Sequence, residues 1–339
     1  MHLLHNKTPY TAETFVLRDQ HGTRQAVAII KGTFLYDEQG FVQDAPDQLP
    51  LCYADEYYGQ PGLSSLRYAS DLVPEKRGTD IVLNGHAYAP GKKAVRKLDT
   101  ALMVGPHQKR VRVYGDRAWR YRLGVVTKTS PLPFLKMPLV YERAFGGADT
   151  SHKKTKKQGH CLENPVGTGF RMARTKKTLD GHPLPNLEWA NRSIQGWKDK
   201  PSPAGYGFVS PHWEPRGSRC GTYDDEWERR RMPLLPEDFD PGFYNTGSSD
   251  LALEEWIAGD ETVTLVNLHP DHEKIQFNLP GINLTSAFIL RDQTYKPDVW
   301  LDTLLIEPDA NRFSIVWRSV FPKPDRLDEL RQVTVSHDG

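Results

Sequence analysis

The chain has few cysteines and no long apolar run. Its 339 residues include three cysteines, Cys52, Cys161 and Cys220, which lie far apart and form no CxxC pair. Such a sparse, odd set argues against the disulfide framework of small secreted domains and favours a reducing setting. No stretch approaches the roughly 18–20 apolar residues that cross a bilayer, and the segment after Met1 lacks the apolar region of a signal peptide. We therefore expect a cytoplasmic protein with no membrane insertion.

An excess of charge of one sign is also missing. The chain has 44 Lys and Arg against 43 Asp and Glu, a formal net charge of +1. A chain so close to neutrality has no strong long-range field that would attract nucleic acid or anionic lipid. Two basic runs, residues 153–157 and 174–177, are compatible with a polyanion contact, but a solvated loop is the simpler interpretation. We expect no nucleic-acid partner.

Signatures of catalysis are absent or weak. The sequence contains no GxGxxG that opens a helix, no GxxxxGK[ST], no HExxH and no GxSxG. The 12 histidines lack the paired ligand spacing of structural zinc sites, even where His269 and His272 lie three apart. Acid pairs such as Asp55-Glu56 are more often solvated surface than the paired carboxylates of a glycosidase. We expect no cofactor, no metal and no catalytic residue.

Turn-forming and aromatic residues are plentiful. Aromatic residues make up 10% of the chain, which also has 26 Pro and 27 Gly, and this combination favours many short strands joined by turns. Residues 13–18 and 25–36 predict two strands joined by a turn. The second is apolar on both faces, so we place it centrally in a sheet that is covered on both sides. Residues 109–114 alternate cleanly and predict a strand with one buried face.

These patterns predict a mainly β fold with sandwich-like packed antiparallel sheets, a long irregular insertion and few short helices. We expect one domain over residues 1–339. Its β-rich core would comprise residues 6–146 and 261–320, and the loop-rich insertion residues of about 147–260. A structureless segment of that length is uncommon in a compact domain, so we expect the insertion to pack on the sheets through its aromatics. Residues 223–232 are its candidate short helix.

Several stretches, mostly loops rich in Tyr, Trp, Arg, Gly and acids, together resemble one family. They are ADEYYG at 54–59, SSLRY at 64–68, GTD at 78–80, NGHA at 84–87, VYGDR at 113–117, MPL at 137–139, YERAFGG at 141–147, ENPVG at 163–167, LPNLE at 184–188, PHW at 211–213, GTYD at 221–224 and PEDFDP at 236–241.

The set resembles a bacterial domain-of-unknown-function family that is encoded beside type VI secretion effectors, over residues of about 6 to 280. The resemblance implies an effector adaptor, or chaperone. Such a protein holds a cognate effector, often one with a proline-alanine-alanine-arginine spike-tip domain, and aids its loading onto the secretion spike. The implied partner is that effector, with the spike-tip or spike protein as a further candidate. The resemblance supplies no catalytic residue.

Loops on a β scaffold are where binding sites usually lie, and Tyr, Trp and Arg dominate the energetics of protein interfaces. The candidate partner-binding residues are Glu56, Tyr57, Tyr58, Arg67, Tyr68, Asp71, Arg143 and Trp213. The opposing interpretation is that they are internal props, with Arg67 or Arg143 paired to Asp55, Glu56 or Asp71. An unpaired strand edge that accepts a strand of cargo is a further way to bind. The alternative function is a carbohydrate-acting enzyme or a carbohydrate-binding β-sandwich, because the chain has 8 Trp and 14 Tyr.

Overall fold

The structure, a computed structural model, describes residues 3–172 and 175–337. Part of the second basic run, Arg174, therefore lies outside the described residues. The first half of these ranges forms short and medium strands, which are β1 (Leu3–Asn6), β2 (Thr11–Arg18), β3 (Arg24–Tyr36), β4 (Val42–Asp44), β5 (Glu56–Tyr57), β6 (Leu66–Tyr68), β7 (Asp80–Leu83), β8 (His86–Tyr88), β9 (Lys97–Val104), β10 (His107–Tyr114), β11 (Trp119–Arg122), β12 (Val125–Lys128) and β13 (Lys136–Pro138).

The strands that follow are β14 (Phe145–Gly146), β15 (Ala148–Asp149), β16 (Gly159–His160), β17 (Thr168–Gly169), β18 (Leu187–Trp189), β19 (Thr262–Val266), β20 (Lys274–Asn278), β21 (Leu284–Ile289), β22 (Thr294–Tyr295), β23 (Trp300–Glu307), β24 (Arg312–Val320) and β25 (Gln332–His337). The one α-helix in the described ranges is α1 (Asp225–Arg230). The 3₁₀-helices are Pro90–Lys92, Tyr141–Arg143, Thr155–Lys157, Lys176–Leu179, Gly217–Cys220, Pro241–Tyr244, Pro308–Ala310 and Pro324–Glu329. None of the helices in the described part of the chain is long and apolar enough to cross a membrane.

Three sheets form the body of the protein. The central sheet has the order β2-β3-β24-β23-β7, with β4 also paired to β3. The second sheet has the order β18-β10-β9-β19-β20, and the third has the order β1-β25-β21-β22. Neighbours within these sheets run antiparallel except for the parallel pairs β7–β23 and β1–β25. The prediction of a mainly β protein with packed, largely antiparallel sheets and few short helices is confirmed.

The main core lies between the inner face of the central sheet and the other two sheets. Phe313 of β24 stacks on Phe34 of β3 at 5.1 Å between ring centres and on Phe277 of β20 at 5.2 Å. Leu102 of β9 and Val333 of β25 belong to the same buried cluster. Offset aromatic stacking adds about 0.5–1.5 kcal/mol per pair to the burial of the rings themselves, so this cluster fixes the central sheet to its neighbours.

Strand β3 is central and is covered on both faces, as its sequence predicts. It pairs with β2 on one side and with β24 on the other. Ala28 and Ile30 enter the main core, whereas Val27 and Ile29 form a separate cluster on the outer face. A strand of this kind needs apolar side chains at successive positions, because neither face contacts water.

The segment of residues 147–260 contains short strands and turns, and it packs on the sheets. Its strand β18 extends the second sheet by pairing with β10. Tyr206 and Trp213 enter the main core. The predicted helix at 223–232 appears as the six-residue α1, where Asp224 caps the first turn by accepting hydrogen bonds from two backbone amides. Strand β25, which the sequence analysis did not include, extends the β core beyond residue 320.

Candidate docking surface

The outer face of the central sheet is covered by residues 45–78, which we call the cover loop. Strands β5 and β6 form a small hairpin within it. Leu66 of this hairpin is buried against Val82 of β7 and Leu305 of β23. The alternation of Leu66 inward and Arg67 outward in the short strand β6 follows from the period of two of an extended chain.

Hydrogen bonds from outside the hairpin hold it in place. Glu142 accepts one bond from the Ser65 backbone amide and one from the Ser65 hydroxyl, both at 2.7 Å. The side-chain amide of Asn84 donates to the Arg67 carbonyl oxygen at 2.7 Å. Bonds to an ionised carboxylate are stronger than neutral ones, so the hairpin is fixed on the sheet before any partner binds.

On the hairpin, the exposed Arg67 lies between the rings of the exposed Tyr58 and the half-buried Tyr68. The Arg67 guanidinium carbon lies 5.0 Å from the ring centre of Tyr68 and 5.9 Å from that of Tyr58. Tyr58 is 44% exposed, and Leu63 at the tip is 73% exposed. We call Tyr58, Leu63, Arg67 and Tyr68 the hairpin patch. Cation–π contacts at such sites contribute about 0.5–1 kcal/mol and align the guanidinium with the rings.

Tyr68 is anchored by a hydrogen bond, and both tyrosines of the patch are uncharged. The Tyr68 hydroxyl donates to Glu307 at 2.6 Å, and Glu307 also accepts a bond from Arg312 at 2.7 Å. Burial raises the pKa of Tyr58 to about 12, and burial together with the bond to Glu307 raises the pKa of Tyr68 above its ordinary value. Both phenols therefore stay protonated at neutral pH and keep a hydroxyl donor.

Glu56 and Tyr57 are neighbours of the patch with different surroundings. Glu56 is exposed at the start of the hairpin, with one carboxylate oxygen 3.9 Å from the Cys52 sulfur. Tyr57 is half-buried and packs on the cluster that includes Leu66 and Phe208. Glu56 is accessible to a partner beside the hairpin patch, whereas the Tyr57 ring mainly supports the hairpin from beneath.

Asp71 lies under the cover loop and belongs to a layer of buried charges. Its carboxylate accepts bonds from Lys31 at 3.0 Å and from the Cys52 backbone amide at 2.7 Å. Three largely buried ion pairs make up this layer: Lys31–Asp71, Lys76–Asp80 and Arg318–Asp302. Ion pairs of this kind fix geometry, because each charge left alone would be costly in the interior. Asp71 is therefore an internal prop.

Arg143, whose side chain is partly exposed, also acts as a prop between loops. Its guanidinium donates to Asp116 at 3.0 Å and to Asn186 at 3.1 Å. The expected pairing of Arg67 or Arg143 with Asp55, Glu56 or Asp71 is wrong. Asp55 accepts from the Ser70 backbone amide, and Asp71 pairs with Lys31. The prop interpretation holds for Arg143 with partners that are distant in sequence.

The placement of Trp213 does not fit a partner-facing role. Its side chain is 1% exposed and meets the Tyr141 ring edge-on, with 5.4 Å between ring centres. A side chain so completely buried cannot reach a partner while the fold is intact. The prediction that Trp213 binds a partner is therefore wrong. Large aromatic side chains bury extensive surface, and this one contributes to the core instead.

Leu63 is the member of the patch that the sequence analysis missed. It follows Gly62, whose φ of +78° turns the chain at the hairpin tip. The local signal was available, because Pro61-Gly62 marks a turn and an apolar residue next to a turn is exposed. Its place on the same hairpin as Tyr58 and Arg67 was not, since the hairpin depends on the pairing of β5 with β6.

Comparison with known proteins gives one match. A family model described as "Uncharacterized protein conserved in bacteria (DUF2169)" matches residues 21–318. No curated protein and no solved structure matches the chain. The matched range contains the whole cover loop and all strands of the central sheet except β2, and β24 lies within it up to residue 318. Because the match spans most of the sequence, the chain belongs to this bacterial family, DUF2169.

Proposed function

We propose that the protein is a type VI secretion adaptor, or chaperone, that binds a cognate effector in the cytoplasm and aids its loading onto the secretion spike. The resemblance of the loop stretches to effector adaptors supplies the secretion context. The observation that carries the binding role is the hairpin patch, a preformed arrangement of the exposed Arg67, Tyr58 and Leu63 with the half-buried Tyr68. Residues of these types, held rigidly, are typical of the centre of a protein interface.

The guanidinium of Arg67 is available for a partner. Within residues 3–172 and 175–337, no group forms a hydrogen bond or an ion pair with it, and its close contacts are the rings of Tyr58 and Tyr68. A guanidinium matches a carboxylate through two parallel hydrogen bonds. We therefore expect the effector to place a carboxylate on Arg67 and an apolar or aromatic side chain beside Leu63.

Preformed geometry lowers the entropic cost of binding. Immobilising a flexible side chain at an interface costs about 0.5–1.5 kcal/mol. The hairpin is already ordered during folding by the bonds from Glu142 and Asn84 and by the bond of Tyr68 to Glu307. Less conformational entropy is therefore lost when a partner binds. Such a surface suits an adaptor, which has to hold its cargo without changing it.

The carbohydrate-acting alternative fits the structure less well. A cavity of about 600 Å³ is lined by three carboxylates, Asp37, Glu38 and Asp271. Glu38 and Asp271 are more than half exposed and pair with His272 and Lys92. A glycosidase acid instead needs an apolar pocket that keeps it protonated. These carboxylates are solvated surface groups.

A sugar-binding face would present several aromatic rings in one plane. One candidate pair, Trp256 and Trp300, stacks with ring centres 5.6 Å apart and 20° between the ring planes. The two rings pack on each other, so the pair does not offer two coplanar platforms. This arrangement favours the adaptor over a carbohydrate-binding module.

The proposal is tested by co-expressing the protein with the effector encoded by the neighbouring gene, followed by size-exclusion chromatography. We expect a stable one-to-one complex, which Arg67→Ala weakens by about 10–30-fold, as for an interface hot spot. The matched control is Arg110→Ala, which removes an exposed arginine from β10, outside the patch. Separate elution of the two unmodified proteins would contradict the adaptor function. Equal losses for both arginine variants would contradict the role of the hairpin patch.

A further inference from the structure

We propose that the outer edge of β2 binds an extended segment of the effector as an added strand of the central sheet. This inference rests on the proposed function and names a second contact with the same partner. The recognition chemistry is that of main-chain hydrogen bonds, which a polypeptide of almost any sequence can supply.

Two hydrogen bonds show which way the backbone groups of β2 point. One lies just beyond the end of β2, and the other joins the neighbouring strand β3 to the residue after β24. The Asp19 amide donates to the Thr23 carbonyl at 3.1 Å, and the Phe321 amide donates to the Ala26 carbonyl at 2.9 Å. Because Ala26 faces β24, its β2 partner Val16 directs its own amide and carbonyl away from β3. The outward-facing residues of β2 are therefore Ala12, Thr14, Val16 and Arg18.

These four outward amides and four outward carbonyls have no hydrogen-bond partner among the described residues. The opposite edge of the same sheet differs. There the Ile81 amide donates to the Leu251 carbonyl at 2.8 Å, and the Leu83 amide donates to the Tyr206 carbonyl at 3.0 Å. The chain thus covers the edge at β7 with its own loops and leaves the edge at β2 open.

Apart from the charged residues Glu13 and Arg18, the open edge lacks the features that protect strand edges against pairing. Natural edge strands are kept apart by lysine, proline, bulges or short length. Strand β2 has eight residues without lysine or proline, and its register with β3 has no shift. Val16 in its middle is 42% exposed. By contrast, the edge strand β20 has five residues, begins with Lys274 and exposes polar side chains only.

The surroundings of β2 favour an effector segment over a second copy of the chain. A stable dimer buries about 1,200–2,000 Å² in total. The large apolar side chains exposed at this edge are Val16 and Tyr53, whose ring contacts Phe15. An added strand needs less area, because its backbone bonds contribute about 0.5–1.5 kcal/mol each. An effector already held at the hairpin patch would also present its segment at high effective concentration.

The test is amide hydrogen exchange at residue resolution on the full-length protein, alone and in complex with the neighbouring-gene effector. In the free protein we expect fast exchange at Thr14 and Val16 and slow exchange at Phe15 and Leu17. In the complex, Thr14 and Val16 should exchange at least about tenfold more slowly. A complex that leaves these two amides unprotected overturns the strand-addition inference while the adaptor function stands. Failure to form any complex overturns both.

Protection of Thr14 and Val16 that rises with protein concentration in the absence of effector would assign the edge to a second copy and overturn the inference.

A proline variant completes the test. Val16→Pro removes an outward amide that has no partner among the described residues of the free protein. We therefore expect the melting temperature to fall by no more than about 4 °C, whereas the affinity for the effector should fall at least tenfold. Val16→Thr keeps both the amide and the branched shape and is expected to bind normally. Equal binding by the proline variant would overturn the inference, and Thr14→Pro repeats the measurement at the next outward amide.

Discussion

The two edges of the central sheet are treated differently by the same chain. At β7, residues from the long irregular segment, Leu251 and Tyr206, accept backbone hydrogen bonds and close the edge. At β2, four of the eight strand residues direct outward amides and carbonyls that have no partner among the described residues. Folding leaves few buried backbone groups without a partner, so an edge that is neither buried nor closed remains available to another polypeptide.

The closed edge depends on Asp80 at the start of β7. Its buried carboxylate accepts bonds from Lys76 at 2.7 Å and from the Thr246 amide at 2.8 Å. Asp80→Ala leaves the buried Lys76 ammonium without its counter-ion and the Thr246 amide without its acceptor, so we expect a loss of about 3–5 kcal/mol in the free energy of unfolding, measured with denaturant. The control Asp271→Ala breaks an exposed pair with Lys92 and should cost less than about 1 kcal/mol. Similar losses for both variants would show that the buried ion pairs contribute no more to stability than an exposed pair.

Proline scanning of β2 separates inward from outward amides without any partner present. The Leu17 amide faces β3 and bonds to it, so Leu17→Pro should cost about 3 kcal/mol more than Leu17→Ala. Val16→Pro, one residue away, should cost about 1 kcal/mol or less relative to Val16→Thr. Thermal and denaturant unfolding of the four variants measure these differences. Equal costs at the two positions would show that the amide directions in β2 are not as described.

Loss of the hydrogen bond that anchors the hairpin patch should have an intermediate effect on the free energy of unfolding. Tyr68→Phe removes the hydroxyl that donates to Glu307, which keeps its bond from Arg312. We expect a loss of about 1 kcal/mol in unfolding free energy, because a buried carboxylate loses one of two donors. The control Tyr58→Phe removes a hydroxyl for which no hydrogen bond is found among the described residues, and it should cost less. A larger loss at Tyr58 would contradict this assignment.

The smallest effect is expected at Arg67. Its contacts within the protein are cation–π contacts at an exposed site, so Arg67→Ala should change the free energy of unfolding by no more than about 1 kcal/mol. Equilibrium unfolding measures this, and the comparison is Arg143→Ala, which removes bonds to Asp116 and Asn186. An Arg67 variant less stable than the Arg143 variant would make Arg67 a structural prop.

Local patterns predicted the strands well. The apolar residues on both faces of β3 predicted a central position, and the alternation of Val111 and Val113 in β10 predicted one buried face. Both patterns are short-range and reflect the period of two of an extended chain. The sheet edges were not predictable in this way, because the closing of β7 by Leu251 joins segments far apart in sequence.

The candidate site was predictable by residue type but not by environment. Tyr58, Arg67 and Tyr68 do lie together on an exposed hairpin. Trp213 and Asp71 carry equally suggestive side chains, yet they are buried or paired, because their neighbours come from remote strands. Whether a side chain is exposed depends on packing between segments far apart in the chain, which no single stretch of sequence predicts.

The pairing of β3 with β24 has a consequence for synthesis on the ribosome. Arg318 of β24 donates hydrogen bonds to the carbonyls of Val73 and Asp71, so a late residue clamps an early loop. Until β24 has emerged, the β2–β3 hairpin has two free edges, and the cover loop has Lys31 of β3 but not the Arg318 bonds to hold it. The nascent chain therefore exposes both edges of this hairpin until β24 is available, and the proposed docking surface is fully assembled only then.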